Sequence, residues 1–323
     1  IYRCLALKII NEKLDVNDIS NTLNKLKDID INFDNEKVFL DNIDVSKEIR
    51  TEEISFYSTK WATIPEIKEL VRKIQKEYIR KYKIHNFVET EYIIEKQRMI
   101  KDEEEMSNII KACNITDDCY KYILSYIKPG MTEKQIAKEI DDYYIERTDG
   151  ISFDTIVASG ENSSKPHAVP TNRKIQEHDI ITIDMGCKVN GYCSDMTRTF
   201  FVGEPTEEMK EVYDLVLSNQ EFALDQYKEG ASTRQVTKMV ENDFKLNGYD
   251  LIHSLGHGVG LEIHEPPYVG YRNDTTLREN MVVTDEPGIY IPRKFGVRIE
   301  DTVQITKFGC VSLTTSEKGY VII

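Results

Sequence analysis

DIITIDMG (179–186) runs on into GYCSDMTRTFFVG (191–203), and further along NMVVTDEPGIYI (280–291) runs on into FGVRIEDTVQIT (295–306). Each pair reads as strand, turn, strand: short apolar runs rich in β-branched residues and punctuated by glycine. The first pair carries Asp184 and Asp195, the second Glu286 and Glu300. Two patterns that each hold two carboxylates predict two similar halves facing one another. FDTIVASG (153–160) is a further strand-like run. Between the strands the chain reads helical. KDEEEMSNIIKACNITDDCYKYILSYI (101–127) begins with acidic residues, where the helix dipole favours them, and stops at Lys128-Pro129-Gly130. Thr132 with Gln135 makes a capping box for the next helix, and Ser232 with Gln235 repeats that signal before one ending at Asn247-Gly248. A further helix is expected over 206–227. Long helices on a mainly antiparallel sheet predict an α+β layered domain.

The character changes at about Gln97, so the expected division is 1–97 and 98–323, and 323 residues suit two domains. The first segment is rich in Asn, Asp, Lys and Ile. It holds a strand-like KVFLDNIDV (37–45) and an amphipathic helix over 64–82 with Ile67, Leu70, Val71, Ile74 and Tyr78 on one face. It has no cluster with metal-ligand spacing and reads as an abbreviated α/β domain. A net charge of −14 disfavours nucleic acid and anionic membrane surfaces as partners. No apolar run reaches the length that spans a bilayer. IYRCLALKII (1–10), broken by Lys8, does not read as a secretory signal, and its first residue is not Met, so a trimmed or incomplete N-terminus is expected. The six cysteines are scattered without a CxxC pair and read as reduced thiols of a cytoplasmic protein.

Asp184, Asp195, His257, Glu286 and Glu300 carry the chemistry. Four carboxylates and one imidazole suit divalent ions of intermediate hardness, such as Mn, Co, Fe or Zn. Four carboxylates that close repel one another, so the set makes sense as a site for two divalent cations. Singly, each acid could be a surface residue, and Asp285 and Asp301 read as bland neighbours. Three histidines, His253, His257 and His264, fall within IHSLGHGVGLEIHEPP (252–267), where glycines let the backbone approach closely. His167 stands in KPHAVP between two prolines, a rigid way to present a side chain. His85 and His178 lack such context and read as surface residues. A triad built on Ser194 or Ser254 would need a GxSxG elbow, which is absent, and HEPP rules out an HExxH zinc helix.

At these residues the sequence resembles the pita-bread metallopeptidases of the creatinase/aminopeptidase type, in the Xaa-Pro branch of aminopeptidase P and prolidase. SFDTIVASGENSSKPHAVPTNR, TIDMGCKVNGYCSDMTRTF, HSLGHGVGLEIHEPP, TDEPGIY and GVRIEDT follow in the order of that family. The resemblance implies two divalent metal ions, Mn first and Co, Zn or Fe as alternatives. Asp184 would be the terminal ligand of one, Asp195 and Glu300 would bridge, and His257 and Glu286 would complete the other. His167 and His264 match catalytic histidines that also contact substrate, and His253 one that lines the substrate site. The implied reaction is attack of a hydroxide shared by the metals on the bond before proline, with Glu286 moving the proton. The implied substrates are short peptides with proline second; a homodimer is left open. The sequence departs from the family in its degenerate N-terminal domain. It also has Tyr268 where prolidases often place an arginine, the first arginine being Arg272; this leans toward an aminopeptidase that tolerates longer peptides. The alternatives are a methionine aminopeptidase, whose final glutamates usually lie further apart than Glu286 and Glu300, a peptide-binding module without activity, and a creatinase-like hydrolase without metal.

Overall fold

A computed structural model describes residues 1–34, 37–82, 92–272 and 274–323, the side chain of Glu52 excepted. The chain divides into two compact units, Ile1–Thr90 and Glu91–Ile323. In the first, helix α1 (Tyr2–Asn11) is followed by α2 (Ile19–Leu26), by a small antiparallel sheet of β1 (Ile31–Asp34), β2 (Lys37–Leu40) and β3 (Ile43–Asp44), and by helices α3 (Glu52–Trp61) and α4 (Pro65–Lys81). Its core joins Leu5 and Ile9 of α1 to Leu26, Ile67 and Val71. The face expected of α4 is the one it buries. The single strand expected over 37–45 is instead a hairpin. Asp41 and Asn42 adopt positive φ of 49° and 67°, a conformation these short polar residues tolerate, and the chain reverses there.

The second unit opens with α5 (Ile93–Met99), which packs on a later strand, and α6 (Glu103–Tyr126), capped by Asp102 and Glu105 in a capping box. Then follow α7 (Glu133–Ile145), β4 (Ile156–Ser159), β5 (Ile180–Met185), β6 (Lys188–Val189), β7 (Tyr192–Cys193) and β8 (Met196–Phe201). The order continues through α8 (Glu207–Gln226), α9 (Thr233–Leu246), β9 (Gly256–Gly258), β10 (Glu265–Val269), β11 (Val282–Asp285), β12 (Gly288–Ile291), β13 (Phe295–Arg298), β14 (Asp301–Ile305) and β15 (Cys310–Ser312). One antiparallel sheet has the order β4-β5-β8, the other β10-β9-β11-β14-β15. The helices bury their apolar stripes on these sheets. Ile123 and Ile136 meet Ile181 and Ile183 in one core, and Val216, Val240 and Phe244 meet Val283 and Val303 in the other.

The expected duplication is present down to single hydrogen bonds. Gly130 N–H donates to Ile175 O at 2.8 Å, and Gly230 N–H to Leu277 O at 2.9 Å. Ile175 and Leu277 return the bond to Met131 and Ala231, each at 2.8 Å. The glycines at these helix starts have φ of 92° and 88°, which other residues rarely adopt. Neither motif is one simple hairpin: β5 pairs with β8, and β6 and β7 form a separate hairpin between them. β11 pairs with β14, and β12 and β13 form a separate hairpin between them. The six cysteines are free and five are buried. Among the described residues no helix is long and apolar enough to cross a membrane.

Candidate metal centre

Strand periodicity puts the acids on one face. Asp184 pairs with Thr197 in the β5·β8 ladder, and Asp195 lies two residues before Thr197, so both carboxylates leave the same side. On the other sheet Asp285 pairs with Asp301, so Glu286 and Glu300 meet just past the end of the ladder. Glu300 N–H donates to Thr197 O at 3.1 Å and ties the two motifs together. His257 enters from β9, whose flanking glycines lie against backbone. A Cβ on Gly256 would come within 2.1 Å of Thr284 O, and one on Gly258 within 2.5 Å of Glu265 O.

The structure thus brings the five residues together. Asp195, His257 and Glu300 are buried, and each offers a ligand atom within 4.8 Å of the others'. His257 Nε2 lies 3.4 Å from Asp195 Oδ2 and 3.5 Å from Glu286 Oε1. Its Nδ1 faces Gly258 O at 3.1 Å, which places the proton on Nδ1 and turns the Nε2 lone pair to the carboxylates. Thr197 Oγ1 donates to Glu300 Oε2 at 2.6 Å and Thr284 Oγ1 to Glu286 Oε1 at 3.3 Å. The set fits divalent cations. Asp184 Oδ1 and Asp195 Oδ1 are buried without any hydrogen-bond partner. Burial, and then the neighbouring carboxylates, push Asp195 and Glu300 well above the usual carboxylate range. Divalent cations would compensate such a cluster.

Arg298, at the end of β13, orients a carboxylate. Its Nη2 donates to Asp184 Oδ2 at 2.7 Å and its Nε to Thr197 Oγ1 at 3.0 Å. Its Nη1 donates to Pro166 O at 2.9 Å, beside His167, and to Tyr290 Oη at 2.8 Å. Tyr290 Oη is 3.0 Å from His253 Nε2, whose Nδ1 faces Ser254 O at 2.8 Å. Protons therefore run in one direction, from arginine to tyrosine to a neutral histidine. Burial lowers the His253 pKa in agreement.

His167 and His264 reach the same cavity of about 540 Å³ as the four acids and the His257 imidazole, with Phe153, Ile156, Val169, Ile263 and Tyr268 as its apolar wall. A second cavity of about 620 Å³ shares His253, Ser254 and Tyr268 with it and continues to Tyr271 and Arg272. His178 is exposed and its ring faces Glu204 O at 3.2 Å, as a surface residue's would. His85 lies outside the described residues. Ser194 is no nucleophile: its hydroxyl is buried against Thr116 Oγ1 at 2.7 Å. Asp285 and Asp301, expected as bland neighbours, are fully buried. Asp301 is held by Arg198 Nη2 at 2.6 Å and Lys318 Nζ at 2.9 Å, while Asp285 has no hydrogen-bond partner for either oxygen.

Sequence comparison places these residues among known proteins. The profile of metallopeptidase family M24 matches residues 107–307, and that of cytidylate kinase matches residues 1–90. A Xaa-Pro dipeptidase of Pyrococcus furiosus is 41% identical over 243 residues, which cover 74% of this chain and 69% of that protein. Among solved structures, a Xaa-Pro dipeptidase from Bacillus anthracis superposes with a TM-score of 0.71 at 40% identity, covering 74% of this chain and 68% of that one. An X-Pro aminopeptidase from Thermotoga maritima MSB8 gives 0.72 at 38%, covering 79% and 72%. The match to an uncharacterized peptidase of Bacillus subtilis, YqhT, spans 66% of that protein, so the chain spans about two thirds of the length of the curated relatives it matches. With its two sheet-and-helix halves closing on one cluster of acids, the chain has the pita-bread fold and belongs to metallopeptidase family M24, in the branch of the Xaa-Pro peptidases.

Proposed function

We propose that the second unit is a dinuclear-metal exopeptidase that hydrolyses the bond between an N-terminal residue and proline. The observation that carries this is the convergence of Asp184, Asp195, His257, Glu286 and Glu300, with buried carboxylate oxygens lacking partners, on the floor of an apolar-walled cavity. Asp184 and Asp195 would hold one cation. His257 and Glu286 would hold the other, with Asp195 and Glu300 shared. Bound there, divalent ions supply Lewis acidity, easing deprotonation of water and polarising a carbonyl.

The chain's own residues do the rest. Arg298 keeps Asp184 turned inward, and Thr197 does the same for Glu300. Glu286 is placed to take a proton from the attacking water and pass it to the departing proline nitrogen. His167 and His264 donate hydrogen bonds to the carbonyl oxygen as charge develops on it. The wall of Phe153, Ile156, Val169 and Tyr268 takes the apolar ring and side chain and excludes water.

Dipeptides are the favoured substrates, because relatives at 41% identity are named Xaa-Pro dipeptidases. The Tyr268 substitution and the second cavity beyond it keep longer peptides as the second reading. Residues 1–90 contain no glycine, so none of these residues forms a glycine-rich phosphate loop, and no kinase activity is proposed from them.

Hydrolysis of Ala-Pro, Ala-Pro-Ala and Met-Ala-Ser by purified protein with and without Mn²⁺, beside Asp195→Asn, tests the proposal. Metal-dependent cleavage of the proline peptides, lost in the variant, is expected, with Ala-Pro the faster. Faster cleavage of Ala-Pro-Ala would favour the aminopeptidase. Cleavage of Met-Ala-Ser alone would move the chain to the methionine aminopeptidases, and no cleavage with any metal would leave a binding module.

A further inference from the structure

His264 sits beside the proposed centre, yet its own ring makes no hydrogen bond to the described residues. It packs edge-on against His257, ring centroids 4.3 Å apart. His264 is itself exposed, and it stands between Ile263, which packs on the core beside Val259 and Val282, and the buried Glu265. Glu265 is 2% exposed and is fixed in three ways. Its backbone pairs with Gly258 next to His257. Its Oε1 takes a hydrogen bond from the buried Lys101 Nζ at 3.0 Å, and its Oε2 pairs with Arg98 Nη2. The Glu262 N–H also donates to Oε2, at 3.3 Å, closing the loop around His264. Gly260 makes room for this carboxylate, since a Cβ there would meet Glu265 Oε1 at 2.4 Å.

Arg98 and Lys101 come from α5 and the residues just after it, far away in sequence. Lys101 N–H donates to Asn280 O at 3.0 Å, so the lysine is itself anchored next to β11, whose end carries Glu286. Two cations on one carboxylate, two of the three side chains buried, is a poor way to gain stability: desolvation of buried charge offsets most of the attraction. Such a cluster fixes position better than it stabilises.

We propose that Arg98 and Lys101 are positioning residues that act through Glu265 to hold His264 at the scissile carbonyl. The inference rests on the reading of His264 given above, and its test separates the two. Arg98 is the accessible member, its side chain 26% exposed, so Arg98→Met should fold; Lys101→Met is the buried counterpart. Arg98→Met should lower kcat for Ala-Pro about tenfold or more, since small displacements of a reacting group are costly, with KM changed less than about twofold and metal content retained. Arg98→Lys should restore most of it. In a His264→Ala background the same Arg98→Met change should alter residual kcat less than about twofold. Equal losses in both backgrounds would overturn the proposal. Imidazole ¹H–¹⁵N spectra provide a readout that needs no activity. Arg98→Met should shift or broaden the signal that vanishes in His264→Ala, and leave that of His178 in place. A His264 signal unmoved by Arg98→Met would overturn the proposal even in an inactive protein, whereas wild type without hydrolysis but with a shifted His264 signal would overturn only the peptidase reading.

Discussion

Glu133→Ala is expected to unfold the second unit well below the wild-type temperature, although Glu133 contacts neither the proposed centre nor the cavity. Its side chain is fully buried at the start of α7 and accepts five hydrogen bonds. Ser159 gives two, from N–H at 2.7 Å and Oγ at 2.8 Å. Asn162 Nδ2 gives one at 2.9 Å, and Thr171 gives two, from N–H at 2.9 Å and Oγ1 at 2.6 Å. Alanine removes every acceptor at once. The hydroxyls and the amide can turn to other partners and the exposed Thr171 can give its N–H to water, but the buried N–H of Ser159 cannot, and a buried donor left unpaired costs about 1–3 kcal/mol. About 2 kcal/mol is therefore the central expectation. For a unit of this size that is a fall in Tm of about 4–8 °C. The segment so released carries His167 and Pro166, so Ala-Pro hydrolysis should fall as well. Glu133→Gln keeps one acceptor oxygen and should lose about half as much. Differential scanning calorimetry of the three proteins is the assay. A Glu133→Ala transition within about 2 °C of wild type would refute the reasoning.

Asp285→Val should stabilise the protein by about 1–3 kcal/mol, because it removes a buried carboxyl with no hydrogen-bond partner; a lower melting temperature would contradict this. Arg298→Met should weaken metal retention about 10–100-fold by freeing Asp184, to be read by metal analysis after dialysis against graded chelator. In the metal-free protein, Asp195 and Glu300 have raised pKa values through burial and mutual repulsion. Their contribution to stability is therefore fully present below the ordinary carboxylate range and lost as pH rises through the folded-state values. The chelated protein should melt at higher temperature at about pH 5 than at about pH 8, and Mn²⁺ should shrink that difference.

The centre was legible because its residues obey local rules. Acids at the ends of apolar strands, histidines among glycines and a histidine between prolines all stand out in a single window of sequence, and strand alternation brings Asp184 and Asp195 to one face. The paired halves are legible in the two strand-turn-strand patterns that each carry two carboxylates. What supports the centre was not. Tyr290 joins Arg298 to His253, Glu133 holds the loop of His167, and Lys101 reaches Glu265, each through contacts that only the tertiary fold creates. Burial of Asp301 depends on Arg198, which lies about a hundred positions away, and looked like surface for that reason. The hairpin turn is carried by Asp41 and Asn42, two short polar residues that tolerate positive φ, and the apolar residues on either side mask it as one longer run.

Metal stoichiometry measured together with activity tests the central claim most directly. Chelated protein titrated with Mn²⁺ in a calorimeter, with Ala-Pro hydrolysis followed on the same samples, should bind about two ions per chain, and hydrolysis should rise only as the second site fills. Asp195→Asn should lose high-affinity binding and hydrolysis together. Saturation at a single ion with full activity, or hydrolysis unchanged by chelation, would contradict the account of the five residues as a dinuclear centre.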